Sequence, residues 1–573
     1  MRTPPLLALL LAVLPVALVY GIGLHHEFVW LDHFEIVDGA LIVDSPRAFF
    51  ELFGNDRNYA GYHRPIYNLL HSVDRAWSGL DPFGYQLSSR LLHLANVALV
   101  FALLRRLFAA HAGGTLAAGF AALLFGLHPV NTATAGLIHA KADLFVLSAL
   151  ATSAWCLVRG LRTAGPAQEP PPAAPPQRLH LVGSWLAFLL ACFTKESAFL
   201  FPFGATLWVL FCVPAPRRRA LRSWLAGLWI LVLAALALRL RATDTSYPSA
   251  LSLPERLATF VPVYVDYVRK LILPLDLTIA DTVRRFSALS DAARLQALFG
   301  FAFLVVAQLV AWWRAPFTRK WIALHHLALL PVAQLVPILH FRADRFLYVS
   351  SLAFAGLVVE AALRRSAASP PTRRWLPVAG LALASLYAWR DVARLPVYAD
   401  DATLFGTELA REPDYLEGLT HLARRLDGEG RFAEARPLYA YCFRPHPDLV
   451  SFFDGEATLL AYSANLLAND AAQDAYALLE EHGPKVTNPH VREELAYNRA
   501  VAARRLGRNE EAFEAFAAYT AGHPDDASAH FLLGQTALSL GRRAEARAAF
   551  ERYLSLVPEA PERSSIEAAL TED

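Results

Sequence analysis

MRTPPLLALLLAVLPVALVYGIGLHHEFVWLDHFEIVDG, residues 1–39, passes from an apolar run of bilayer-spanning length straight into a segment carrying Asp32, His33, Glu35 and Asp38. How this junction is read decides the fold. A cleaved signal peptide is the competing reading, but the run is long for one and no A-x-A-like site follows it. The expectation is an uncleaved first span, with the acidic segment emerging where the chain meets water.

The rest of the 573-residue chain agrees with a membrane reading. It is 55% hydrophobic and 18% charged, with a mean hydropathy of +0.32, too apolar a balance for a soluble protein of this size. The net charge is +2 and the basic residues fall in small clusters, which excludes a nucleic-acid-binding stripe. Cys156, Cys192 and Cys212 lie in apolar runs and Cys442 stands alone, so neither a disulfide framework nor a Cys/His metal spacing is present in the sequence.

Apolar runs recur near residues 5–24, 86–109, 115–138, 141–161, 179–194, 197–214, 223–240, 295–313, 320–340, 345–363 and 375–390, about eleven spans. Basic flanks at Arg105 and Arg106, Arg159 and Arg162, Arg217 to Arg222, Arg314 to Lys320, and Arg364 to Arg374 share one side if the N-terminus is cytoplasmic. Residues 25–85, 241–290 and everything after about 391 then face away from the cytoplasm. The segment AGPAQEPPPAAPPQ, 164–177, reads as an extended cytoplasmic linker.

Beyond residue 396 the texture changes. RRLGRNEEAFEAF, 504–516, and LSLGRRAEARAAF, 538–550, align Leu506 with Leu540, Gly507 with Gly541, Ala512 with Ala546 and Phe516 with Phe550, each pair 34 residues apart. That period is the tetratricopeptide signature, in which paired helices bury small and aromatic positions against their neighbours. An earlier unit fits through Gly430, Ala435, Tyr439 and Pro447, with a degenerate one at 451–486. The expected class is all-α: a polytopic helical membrane domain over 1–395, then an α-solenoid of about four repeats over 396–573, whose concave face would bind an extended segment.

On that topology several polar clusters meet one face: Asp32, His33 and Glu35; His63 and Arg64; His128, with Lys141 and Asp143; Lys195 and Glu196; and Arg342, Asp344, Arg345 and Tyr348. Charges inside a bilayer are costly and need a reason. Arg and Lys near the interface can hold a lipid phosphate, and a carboxylate can take the proton of an acceptor hydroxyl. The plainer alternatives are that Lys195 with Glu196 and Asp344 with Arg345 are anchoring ion pairs, that His63 and His128 are structural, and that Asp32 is a helix cap or solvated loop acid.

The stretches FVWLDHFEIVDG, YHRPIYNLL, DPFGYQLSSRLLHLANVALVFALLRRLF, FGLHPVNTATAGLIHAKADLF, FTKESAFLFP and ADRFLYVSSLAFAGL, followed by the repeats, resemble the transmembrane and tetratricopeptide repeat-containing O-mannosyltransferases and their bacterial relatives. The resemblance implies a GT-C glycosyltransferase, similar to protein O-mannosyltransferases, that transfers a mannosyl or similar hexosyl group with inversion. It implies a polyprenyl-phosphate donor, a protein or glycan acceptor and no cofactor or obligate metal. The family's acidic pair falls on Leu31 and Asp32, so the resemblance makes Asp32 the candidate general base or acceptor-orienting group and Glu35 a candidate substitute for the missing acid. Arg64, Lys141, Lys195 and Arg345 are the expected phosphate ligands, Lys141 standing where the family often has Arg. His33, His63, His128, Glu196, Asp344 and Tyr348 are further site candidates. The expected location is a bacterial inner membrane with the repeats in the periplasm. The rival readings are a membrane-anchored repeat scaffold for envelope assembly and a carrier of lipid-linked sugars.

Overall fold

The computed structural model describes residues 4–53, 63–160, 177–213, 215–242, 251–368 and 375–571. The Pro-rich linker, apart from Gln177, lies outside the described residues, as do Arg162, Arg373 and Arg374. The described chain is almost wholly helical; one two-residue antiparallel ladder, Val283–Arg284 with Leu449–Val450, is its sheet. It divides into two compact units, Met1–Pro413 with Asp448–Ser451, and Asp414–Pro447 with Phe452–Asp573.

In the first unit, six helices among the described residues are long and apolar enough to cross a membrane: Pro5–His25, Pro82–Leu107, Ile138–Gly160, Arg219–Ala242, Asp291–Arg314 and Asp344–Ala367. Gly114–Gly126, Arg178–Cys192 and Glu196–Leu210 are apolar but shorter. This is the make-up of a multi-pass membrane protein. Expected runs were longer than several of these helices because apolar composition does not register breakers. His128 and Pro129 follow the first short helix. Within the run 320–340 the helix Arg319–Leu329 gives way to the turn Leu330–Val332, where Pro331 can neither donate its N–H nor continue the helix.

Small residues let these helices approach. A Cβ on Gly119 would stand 2.7 Å from the carbonyl oxygen of Ala8, and one on Gly126 would stand 2.6 Å from a Val16 methyl, so helices Pro5–Tyr20 and Gly114–Gly126 meet nearly backbone to backbone. Helix Asp291–Arg314 is the opposite case. Its Phe299 and Trp313 are 71% and 73% exposed, as suits a helix turned to lipid.

The first unit continues past the last apolar helix, Leu376–Arg394, through helix Asp401–Arg411. The buried Arg394 guanidinium there pairs with the buried Glu408 carboxylate, which also accepts the Ile279 N–H at 3.0 Å. Arg394→Ala strands that carboxylate, a change expected to cost about 3–5 kcal/mol. Thermal unfolding of the detergent-solubilised protein should show a clear drop in Tm, and an unchanged Tm would mean that the pair contributes nothing.

The second unit is a row of four helix pairs: Leu416–Gly428 with Phe432–Cys442, Gly455–Ala468 with Ala472–His482, Pro489–Arg505 with Asn509–Gly522, and Ala527–Ser539 with Arg543–Leu556. Helix Arg563–Thr571 follows them. The turn inside each pair holds a residue at positive φ: Gly430, Asp470, Gly507 and Gly541. Asp470 takes the glycine's place in the second repeat, since Asp is one of the few side chains that tolerates this conformation. Ala435, Ala475, Ala512 and Ala546 are all fully buried at the matching position of the second helix, where only a small side chain lets the layers stack.

Candidate active site

The segment between the first helix and residue 41 is pinned from both ends. Glu27 donates its N–H to the Ala399 carbonyl at 2.9 Å, and Asp401 takes the Trp30 N–H at 2.7 Å on one oxygen and the His33 ring at 2.8 Å on the other. Trp30 needs that hold. Its φ of +57° lies in the left-handed region, which a bulky side chain occupies only when its surroundings impose it. Its indole ring meets His139 edge-on at 4.6 Å and His340 at 5.7 Å.

Two residues on, Asp32 is completely buried. One carboxylate oxygen accepts the Val29 N–H at 3.2 Å and the other accepts the His139 N–H at 3.0 Å. It thereby ties its own loop to the turn before helix Lys141–Gly160. A π-helical turn over His33–Val37 then rotates Glu35 inward. The Glu35 carboxyl meets the Tyr67 hydroxyl at 2.7 Å, and that hydroxyl also lies 2.7 Å from the His139 carbonyl. Burial pushes the Glu35 carboxyl up to about 8; the Tyr67 hydrogen bond opposes this, the Asp32 charge adds to it, and Arg64 and Arg345 oppose it.

The expected phosphate ligands differ in one respect. Lys141 is buried against Asp74, which also accepts the Ser88 hydroxyl at 2.8 Å. Lys195 lies 2.6 and 2.7 Å from the two oxygens of Asp143. Arg64 holds Glu196 at 2.6 Å, and Arg239 grips the same carboxylate. Arg345 has no carboxylate partner among the described residues; its guanidinium lies over the rings of Trp30 and Phe346, each at 5.6 Å. Arg64 and Arg345 are both close enough to Lys195 to act on its ammonium, whose pKa is lowered chiefly by burial, against Asp143. Arg64, Arg239, Lys195 and Arg345 thus gather around two carboxylates, Glu196 and Asp143, a local excess of positive charge suited to an anion.

The remaining candidates stand apart from this cluster or at its margin. His33 is half exposed, its pKa raised first by the Asp401 hydrogen bond. His63 is buried between the rings of Phe53 and Phe193, and burial lowers its pKa. The His128 ring bonds to the Leu271 carbonyl at 3.0 Å. The Tyr348 hydroxyl sits between His93 at 2.7 Å and Asn96 at 3.1 Å. Asp344 pairs with Lys270 at 2.6 Å and accepts the Thr278 N–H at 2.8 Å. These last three join helices and leave their polar atoms spoken for.

Several partners were not picked out by the sequence reading: Asp74 and Asp401, the clamps, lie outside the singled-out stretches, whereas Trp30, Tyr67 and His139 lie inside them without a pattern that marks them. Asp143 was, being two residues beyond Lys141 in a stretch already singled out.

Comparison with known proteins bears on both units. Residues 494–561 match the tetratricopeptide repeat family model. A protein O-mannosyl-transferase tmtc2 from Xenopus laevis is 34% identical over 120 residues, covering 20% of this chain and 14% of the relative. A chain from the crystal structure of the APC/C hetero-tetramer Cut9-Hcn1 covers 93% of this chain and 100% of its own length at 14% identity, with a TM-score of 0.21, too low for the likeness to carry weight. The chain thus carries tetratricopeptide repeats, matched over residues 494–561, beside a multi-helix apolar unit, and is similar over a fifth of its length to a protein named for O-mannosyl transfer.

Proposed function

We propose that this chain is an integral-membrane glycosyltransferase of the GT-C type, moving a mannosyl or similar hexosyl group from a polyprenyl-phosphate donor to a protein or glycan hydroxyl. The observation that carries the reading is Arg345, a cation without a carboxylate partner among the described residues, in electrostatic reach of Glu35 and Lys195. In the proposed step the acceptor oxygen bonds to the anomeric carbon as the bond from that carbon to the phosphate oxygen breaks. Asp32 takes the acceptor's proton, and Arg345, with Arg64 and Lys195, stabilises the charge on the departing lipid phosphate. The site would face away from the cytoplasm, in the periplasm of a bacterial cell, with the repeats presenting the acceptor.

One observation favours a second reading. Asp32 is shut off from solvent with both oxygens already bonded, and Leu31 stands beside it, as would suit a membrane-anchored scaffold whose repeats do the work. Native mass spectrometry of the purified chain with a short-chain polyprenyl-phosphate mannose separates the two. The enzyme reading predicts a one-to-one lipid adduct displaced by free polyprenyl phosphate; a scaffold gives none.

A further inference from the structure

The Tyr67 hydroxyl has one proton and two neighbours that both look like acceptors, Glu35 Oε2 and the His139 carbonyl oxygen, each at 2.7 Å. A peptide carbonyl can only accept. Were Glu35 ionised, one of the two contacts would bring two oxygens together at 2.7 Å with no hydrogen between them, in a buried site. That arrangement is strongly repulsive in a low-dielectric interior. A proton on Glu35 resolves it: Glu35 donates to the Tyr67 oxygen, and Tyr67 donates to the His139 carbonyl. The same His139 residue gives its N–H to Asp32 at 3.0 Å, so one stretch of backbone is held by Asp32 directly on one side and by Glu35 through Tyr67 on the other. Asp32 has the opposite surroundings, a peptide N–H on each oxygen.

We infer that Glu35 is a protonated positioning residue, which holds the His139 backbone through Tyr67 while Asp32 holds the same residue's N–H. The charged and titratable groups acting on Glu35 are Asp32, Tyr67, Arg64 and Arg345; the buried His139 ring lies beside them. Its role in transfer rests on the function proposed above, whereas its protonation does not. The raised pKa near 8 agrees with the hydrogen-bond count. When pH rises through that value Glu35 ionises, draws the Tyr67 proton away from His139 and places a negative charge in the buried pocket. The folded form binds this proton more tightly than the unfolded chain, so the stability it adds is full below the unfolded value of 4.5 and is lost as pH climbs to about 8.

Infrared difference spectroscopy on the full-length protein in detergent, wild type minus Glu35→Gln, reads the proton directly. The expected result at pH 6 is a protonated-carboxyl C=O band that shifts in D2O and disappears by about pH 9. If Glu35→Gln fails to fold, wild type minus Tyr67→Phe decides, since a carboxylic acid losing its acceptor moves its band to higher frequency. No such band in the first comparison, or no shift in the second, overturns the inference. In a transfer assay Glu35→Gln, which keeps an N–H donor toward Tyr67, should retain most of the rate at pH 7 and lose the wild type's alkaline decline near pH 8. A Glu35→Gln variant that keeps the decline overturns the positioning role. A carboxyl band with no transfer by any form leaves the proton assigned and removes the proposed function.

Discussion

On the proposed function, Asp32→Asn is expected to lower the rate of sugar transfer by roughly 10²–10⁴-fold, the usual contribution of a positioned general base. The amide keeps one carbonyl oxygen but turns an NH2 toward one of the two peptide N–H groups that Asp32 now satisfies, from Val29 or from His139. A donor therefore faces a donor, and stability falls as well, by about 1–3 kcal/mol. The two effects separate experimentally. Thermal unfolding gives the stability loss, and transfer per folded molecule, assayed well below the melting temperature, gives the catalytic loss. Equal activity per folded molecule in Asp32→Asn and wild type would remove Asp32 from the chemistry.

Arg345→Ala is expected to lose about 10²–10³-fold in kcat, comparable to deleting one preorganised donor that stabilises developing charge. Its stability cost should be small, because no carboxylate among the described residues is orphaned when it goes. Lys195→Ala offers the contrast, since it strands Asp143. Arg345→Lys restores the charge but not the planar fork, so it recovers only part of the rate. A fully active Arg345→Ala would place the donor phosphate elsewhere.

The repeats were legible because their physics is local and periodic. A turn that needs positive φ calls for Gly430, Gly507 and Gly541, and a helix contact with no room calls for Ala at a fixed offset. The degenerate unit escaped that pattern only where Asp470 does the work of a glycine. The apolar helices were legible as runs, less so in length, since Pro129 and Pro331 end helices inside stretches that read as continuous. The acids and cations of the site were found as residues, but their pairing was not. Lys195 with Glu196 and Asp344 with Arg345 are neighbours in sequence, and consecutive side chains on a turn point apart. The structure pairs Lys195 with Asp143, Glu196 with Arg64 and Arg239, and Asp344 with Lys270. Arg345 is left over by this rearrangement. Its lack of a carboxylate partner among the described residues, like the Tyr67 bridge to Glu35, depends on contacts between residues far apart in the chain, which no local pattern encodes.

The central claim is transfer from a lipid-linked sugar, and the most direct measurement is made on purified wild-type protein in proteoliposomes. Radiolabelled short-chain polyprenyl-phosphate mannose is supplied with a panel of hydroxyl-bearing peptides and glycans, and the label is followed into water-soluble product. The account predicts product with inverted anomeric configuration and stoichiometric release of polyprenyl phosphate. Intact donor after prolonged incubation, with mannose and other hexoses alike, would contradict it and leave the repeat scaffold as the better description of the chain.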